Sequence, residues 1–518
     1  MPHLCPESQS ISLDPCFQVT GEGPDQAQYA AVFTVGPDCG QVLLVLESPL
    51  PELTVHLNGD LISTISPGST IVYVPLPSKI TPYPCPNTLT FTIPARRCLS
   101  IPRPCLHARL VQKSGAYILP PALRVETLLA GDSAWILQIH GQIDSLRAAS
   151  FPATIRADLS IGGVTRISRE MSLTIAPGRQ TPFQQQLTAF EPHLWSPENP
   201  SVYILTLSLF AGEDRIDTLS CAVGFRELIS EDGGALLLNG QAFAPRGFRI
   251  PNPAQLHPAL IEYQLQLIKN IGANIVTADT LLSEPLRDRC LCLGLLYEPA
   301  LPCSLPTLEF SLFPDSAFLA SYEAKWSSDP VLVLATHWNL PVDSGSAVTV
   351  PIYSNCQEVE LRLNDRMLGR YRPSEGICLA RIPYEMGRLE AIGHRDGWGE
   401  IRAQTVTTGL AHSLQAYPSK SCLAYGAPDA VVIAVRAADY AGNPVPDADN
   451  LIFFEGRSGV QVCQTGAPDA ETPICTAYHR LCRGECFAIL ETTDGDDAVI
   501  NIYAEGLTGD TVTLPVRA

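Results

Sequence analysis

The stretch RGFRIPNPAQLHPALIEYQLQLIKNIGANIVTADTLLSEPLRDRCLCLGLLYEPAL, residues 246–301, decides the fold at the middle of this chain. Within it Leu260, Ile261, Leu265, Ile268 and Ile271 recur at helical spacing and Gly272 follows as a stop signal, so the pattern predicts a helix over 258–273. The apolar run NIVTADT comes next. SEPLRDRCLCLG then reads as a second helix with Pro285 in its first turn. With GFRI before the first helix and LLYEPAL after the second, the order is β, α, β, α, β, that of a parallel sheet with right-handed crossovers.

On both sides of this stretch the text changes character. GQVLLVLESPLPELTVHLNGDLIS (40–63) and NTLTFTIPA (87–95) are short β-prone runs, with Asn58 and Gly59 marking a hairpin turn. RVETLLAG, AWILQIHGQI and ATIRADLSIGG continue the strand-and-turn rhythm between 110 and 229, and the chain returns to it after Asp329. The 45 prolines and 37 glycines among 518 residues break the sequence into runs too short for long helices, which favours β-sandwich modules. That length allows three to five domains, each able to bury a core.

A formal net charge of −19 disfavours polyanionic partners, so neither nucleic acid nor an anionic membrane surface is expected, while neutral glycans and proteins stay open. The N-terminus has no basic start followed by an apolar core of signal-peptide length, and no stretch reaches the ~18 apolar residues of a membrane span. The chain therefore reads as soluble and cytoplasmic. Its 17 cysteines then read as reduced thiols, most of them small buried apolar residues, and no cofactor is expected.

LWSPENPSVYILTLSLFAG (194–212), VGFRELI (223–229), LLLNGQAFAPRGFRI (236–250) and LIKNIGANIV (267–276) resemble, in order and spacing, glycoside hydrolase family 2 of the β-galactosidase and β-glucuronidase kind. VTVPIYSNCQEVELRLNDRMLGRY (348–371) and IPYEMGRLEAIGHRDGWGEIRAQTVTTG (382–409) resemble the domain of unknown function that follows the barrel in bacterial members, and DYAGNPVPDADNLIFFEGRSG (439–459) the module that ends them. The resemblance implies a multidomain, mainly β protein. Its parts are a shortened jelly-roll sugar-binding sandwich (1–109), an immunoglobulin-like sandwich (110–229), a truncated (β/α) barrel remnant (230–330), a β-sandwich domain (331–411) and a C-terminal immunoglobulin-like domain (412–518). The barrel is truncated because an eight-stranded one takes ~250 residues, whereas SLFPDSAFLASYEAKWSSDPVLVLATHWNL (311–340), which resembles the barrel's exit, follows Leu301 almost at once.

Retaining glycosidases need two carboxyl groups ~5–5.5 Å apart, since the oxocarbenium-like transition state is met from both sides. The resemblance places the acid/base in an Asn-Glu pair after the fourth barrel strand and the nucleophile near the seventh. Neither strand is present, and no Asn in this chain is followed by Glu. Where family members carry Asn-Arg-His after the first strand this chain reads FRIPNP (248–253). Where they carry Arg-Thr-Ser-His it has Thr277, Ala278, Asp279 and Thr280. The expectation is an inactive or carbohydrate- or protein-binding relative. The alternatives are an active O-glycosyl hydrolase, completed by a partner chain or using relocated carboxylates, and a structural interaction array.

Barrel sites lie at the C-terminal ends of the strands, so Arg246, Arg249, Asp279 and Glu298 are the candidate carbohydrate-binding residues. They read as a relocated carboxylate pair, as polar ligand contacts, or as a solvated rim or ion pair. Glu298 also matches the acidic residue that family members carry after strand three. Cys475, His479, Cys482 and Cys486 have zinc-ligand identities but lack paired Cys-x-x-Cys hairpins, so no metal is expected. Trp195 and Trp338 are expected to pack at domain corners. A three-stranded remnant has two free edges, so the segment 301–330, with Leu308, Phe310, Leu312, Phe313, Phe318 and Leu319, is expected to fold over it, or a second copy or partner chain to cover it.

Overall fold

The computed structural model describes residues 3–4, 10–13, 18–22, 26–36, 41–47, 53–65, 71–76, 80–94, 107–113, 115–131, 133–145, 147–178, 180–231, 235–250, 257–278, 282, 284–298, 316–424, 429–467, 477–492 and 496–517. The chain is multidomain and mainly β, with three α-helices among the described residues. It divides into two compact units, 1–257 with 274–308, and 258–273 with 309–518.

The first unit opens on a sandwich of a six-stranded and a four-stranded sheet. Alternate residues of its strands point inward, and Phe33, Leu44, Phe91 and Leu110 meet in its core. Leu57 pairs with Asp60 across the Asn58-Gly59 turn, both turn residues having positive φ as a two-residue primed hairpin requires. The sandwich expected to be shortened thus encloses a core of its own. A second sandwich follows, and its strand Ala134–Ser145 alternates buried and half-buried residues along its whole length. The two are joined by Asp217, buried, which accepts the Lys113 ammonium and, at 2.7 Å, the Ile118 amide.

Beyond the second sandwich, Asn239 pins the next hairpin: its Oδ1 accepts the Glu227 amide at 3.0 Å and its Nδ2 donates to the Trp195 carbonyl at 3.0 Å. The parallel sheet begins here. Its three strands, Gly247–Ile250, Ile275–Ala278 and Leu296–Tyr297, pair in parallel in that order, as the sequence predicts. Gly247 has to be glycine, because a Cβ there would lie 1.8 Å from the Ile275 carbonyl oxygen. Asn274, buried, clasps the first two strands together by accepting the Arg246 amide at 2.7 Å and donating to the Ala244 carbonyl at 2.9 Å.

Helix α2 (Glu284–Leu293) carries Pro285 in its first turn and packs on the third parallel strand and on strand Asp214–Val223 of the second sandwich. Cys290 is buried on it and Cys292 exposed, so the two face different sides. Trp195 is fully buried at this corner, where its Nε1 donates to the Leu291 carbonyl at 2.9 Å. With Leu238, Ile275, Leu291 and Leu296 it forms one small core, so the corner packing expected of Trp195 is present.

In the second unit, α1 (Pro258–Asn270) buries Leu260, Ile261, Leu265 and Ile268, the stripe read from the sequence. It lies along strand Ala430–Ala438 of the last sandwich, with Glu262 and Lys420 paired at 3.5 Å. Helix α3 (Ser316–Trp326) packs on strands Leu332–Leu334 and Ala347–Ser354 of the preceding sandwich. In that sandwich Trp338 is fully buried and donates from Nε1 to the Glu385 carbonyl at 2.9 Å. Residues 301–315, with Leu308, Phe310, Leu312 and Phe313, lie outside the described residues, while Phe318 and Leu319 sit half-buried on α3. The last sandwich sets Ser413–Pro418, Ala430–Ala438, Glu485–Thr492 and Val460–Gly466 against Tyr478–Arg480, Leu451–Ser458, Ala498–Ala504 and Asp510–Leu514. No helix among the described residues is long and apolar enough to cross a membrane.

Candidate functional site

At the C-terminal ends of the parallel strands the register aligns a row of polar residues. Arg249 pairs with Thr277, and extending the second ladder by one residue places Glu298 beside Thr277, its amide donating to the Val276 carbonyl at 3.2 Å. In a parallel ladder, residues in one row face the same side of the sheet. Arg249, exposed, and Glu298, half-buried, therefore share a face two strands, or about 10 Å, apart. Phe248, Ile250 and Val276 alternate with them and are fully buried. Asp279 lies outside the described residues.

Arg246 does not join this row. It precedes the first strand and its backbone is held by Asn274, so it stands at the opposite end of the sheet, about 13 Å along the strand from Ile250. The sequence reading had grouped Arg246 with Glu298. The strand runs from Gly247 to Ile250, so Arg246 lies just before its N-terminal end whereas Arg249 lies near its C-terminal end.

The residue missing from the sequence reading is Arg226. Its guanidinium lies 5.0 Å from the centre of the Trp195 ring, a cation–π arrangement. Burial pushes the Arg226 guanidinium below its usual range, and the charge of Glu298 opposes that shift. The second sandwich thus brings an arginine within electrostatic reach of Glu298. The signal was present in VGFRELI, where an arginine stands directly between Phe225 and Glu227. Close by, burial raises the Tyr297 phenol, which accepts the Leu282 amide at 3.1 Å. Tyr297 pairs with Val276 and so faces the other side of the sheet; among the described residues the rim row itself carries Arg249, Thr277 and Glu298, groups that can orient hydroxyl-rich ligands by hydrogen bonds and charge.

Among the described cysteines Cys221, Cys290, Cys356 and Cys486 are buried, while Cys85, Cys292 and Cys422 are exposed. Cys290 and Cys486 are buried, and burial pushes the Cys290 thiol up to about 12 and the Cys486 thiol further. Both are poor nucleophiles at neutral pH. Arg483 and Gly484, both at positive φ, fold the chain between Cys482 and Glu485. His479 Nδ1 is 2.8 Å from the Arg480 carbonyl, Cys475 lies outside the described residues, and among the described residues no three His, Cys, Asp or Glu side chains converge.

Three family models match the chain: glycosyl hydrolases family 2 over residues 117–226, glycoside hydrolase family 2 C-terminal domain 5 over 414–513, and a domain of unknown function, DUF4982, over 345–398. A β-galactosidase of Bacteroides ovatus is 26% identical over 216 residues, 40% of this chain and 25% of that protein. A β-glucuronidase of Formosa agariphila is 29% identical over 147 residues, 27% of this chain and 15% of that protein. The chain thus spans a quarter or less of the length of these curated relatives. Among solved structures, a glycosyl hydrolase family 2 member from Bacteroides cellulosilyticus aligns with a TM-score of 0.75 at 15% identity, covering 96% of this chain and 94% of that one. A β-glycosidase from Bacteroides vulgatus aligns with a TM-score of 0.74 at 15% identity, covering 95% and 92%. The chain thus carries glycoside hydrolase family 2 modules on both sides of the parallel sheet and shares the fold of solved members of that family.

Proposed function

We propose that this chain is a non-hydrolysing member of its family that keeps a glycan-facing scaffold without the carboxylate pair. The observation that carries the reading is a distance along the chain. Only about 35 residues separate the third parallel strand, ending at Tyr297, from the sandwich strand that begins at Leu332, and α3 takes eleven of them. A strand–helix–strand unit needs ~30 residues or more. There is no length for the fourth to seventh barrel strands, on which the acid/base and nucleophile would stand.

Arg249 and Glu298, with Asp279, are the residues proposed to contact a polar ligand at the remaining rim. Arg226 lies within electrostatic reach of Glu298, and a guanidinium beside a carboxylate suits the binding of a polar ligand. Purified protein should hydrolyse aryl β-galactosides, β-glucuronides and β-glucosides no faster than buffer does. Turnover that is lost in both Glu298→Gln and Asp279→Asn would overturn the proposal and establish relocated catalytic carboxylates.

A further inference from the structure

The outer face of the last sandwich carries a row of aromatic rings that its core does not use. Phe453 pairs across the ladder with Tyr478 on one side and Tyr503 on the other, so three rings cross three adjacent strands in one line. The Phe453 and Tyr503 rings are 5.4 Å apart and nearly parallel, at 14°, and the Phe453 and Tyr478 rings are 5.9 Å apart. Tyr478 and Tyr503 remain 49% and 47% exposed. The core beneath is complete without them, filled by Ile452, Phe454, Ile500 and Ile502, which alternate with these residues on the inner face.

The next rows of the same face supply hydrogen-bonding groups. Glu455 pairs with Asn501, and Asn501 with Thr511, whose hydroxyl lies 3.2 Å from Asn501 Oδ1. The charges around the rings are matched: Arg457 meets Glu455 at 3.0 Å, and Arg480 meets Asp449 at 3.6 Å. The face is therefore apolar and aromatic along its centre, hydroxyl- and amide-bearing beside it, and locally neutral on a chain of net charge −19. That charge pattern disfavours an acidic occupant and does not attract a basic one. A pyranose ring combines the features that remain, with an apolar C–H face to lie on a π surface and equatorial hydroxyls to reach Asn501, Glu455 and Thr511.

We propose that this face of the C-terminal sandwich is a binding surface for an uncharged oligosaccharide, separate from the parallel sheet. The choice of ligand class rests on the glycan-facing reading above, but binding is measured without turnover, so failure of one leaves the other standing. The test is native affinity electrophoresis of the full chain in gels containing β-1,4-galactan, xyloglucan or glucomannan, with polygalacturonate as the acidic comparison. At least one neutral polysaccharide should retard the protein, and Tyr478→Ala/Tyr503→Ala should migrate as in the glycan-free gel. Tyr503→Leu, which keeps an apolar cross-strand neighbour for Phe453 but removes the ring, should lose most of the retardation at an unchanged melting temperature. The proposal fails if no neutral gel retards the protein, if polygalacturonate alone does, or if the variants stay retarded. It fails too if the double variant turns a dimer into a monomer in light scattering, which would make the row a contact between two copies.

Discussion

Asn274 holds more of the parallel sheet than its single side chain indicates. It is buried, its amide oxygen and nitrogen bond backbone on either side of Pro245, and its own backbone N–H donates to the Arg246 carbonyl at 2.7 Å. Asn274→Ala removes both side-chain hydrogen bonds and should cost about 1–2 kcal/mol, read as a lower urea midpoint at unchanged slope. Asp439 makes the corresponding test in acid. Burial tends to raise its carboxyl, but hydrogen bonds from the Asn443 amide and side chain and from the Gly409 and Ala441 amides outweigh it and hold it below the usual carboxylate range. A depressed folded value means that this stabilisation is complete above about pH 4, the unfolded value, and drains away as pH falls through the lower folded one. Asp439→Asn should therefore show a flatter melting temperature between pH 4 and pH 2 than the parent. An equal acid slope in the two would show that the carboxylate contributes nothing. These roles were hidden in the sequence because Asn274 and Asp439 bond backbone as far as about thirty residues earlier in the chain, and composition carries no record of which amides turn toward them.

At the scale of elements, local pattern carried far. The spacing of Leu260, Ile261, Leu265 and Ile268 is enough to place α1, Pro285 the start of α2, and Asn58-Gly59 a hairpin, because each depends on neighbours within one turn or one ladder rung. The docking partners were not legible. An apolar stripe says that a helix face must be buried without saying against what, and α1 lies on the last sandwich, far away in sequence. The candidate rim was half legible: Arg249 and Glu298 share a row, but Arg246 stands at the other end of the sheet, since the point where a ladder begins, and hence which end a residue occupies, is set by register that the sequence does not mark. The Tyr478, Phe453 and Tyr503 row was invisible for the same reason, being assembled by register across strands that a bulge between Gly456 and Ser458 adjusts. For α2, the Trp195 indole bond to Leu291 is the testable hold. Trp195→Phe keeps most of the apolar contact but loses that bond, and because the Leu291 carbonyl still accepts the Gly294 amide the cost should be about 0.5–1.5 kcal/mol. Hydrogen exchange should rise first in 284–293. If exchange there is unchanged while the rest of the chain loosens, the bond does not hold the helix.

For the whole molecule, the chain is a series of separate cores, one within each sandwich, rather than one continuous interior. Calorimetry should therefore give more than one transition, with a calorimetric enthalpy larger than the van't Hoff value. One symmetrical transition with equal enthalpies would mean that the cores unfold together. The placement of α1 also bears on how the protein is made. The helix is complete at Asn270, but the strand it lies along begins at Ala430, about 160 residues later. At ~5–20 residues per second, the ribosome takes roughly 10–30 s to deliver that strand. Through that interval the nascent chain carries an amphipathic helix whose oily side has no docking face, a standing invitation to chaperones or to a neighbouring polysome.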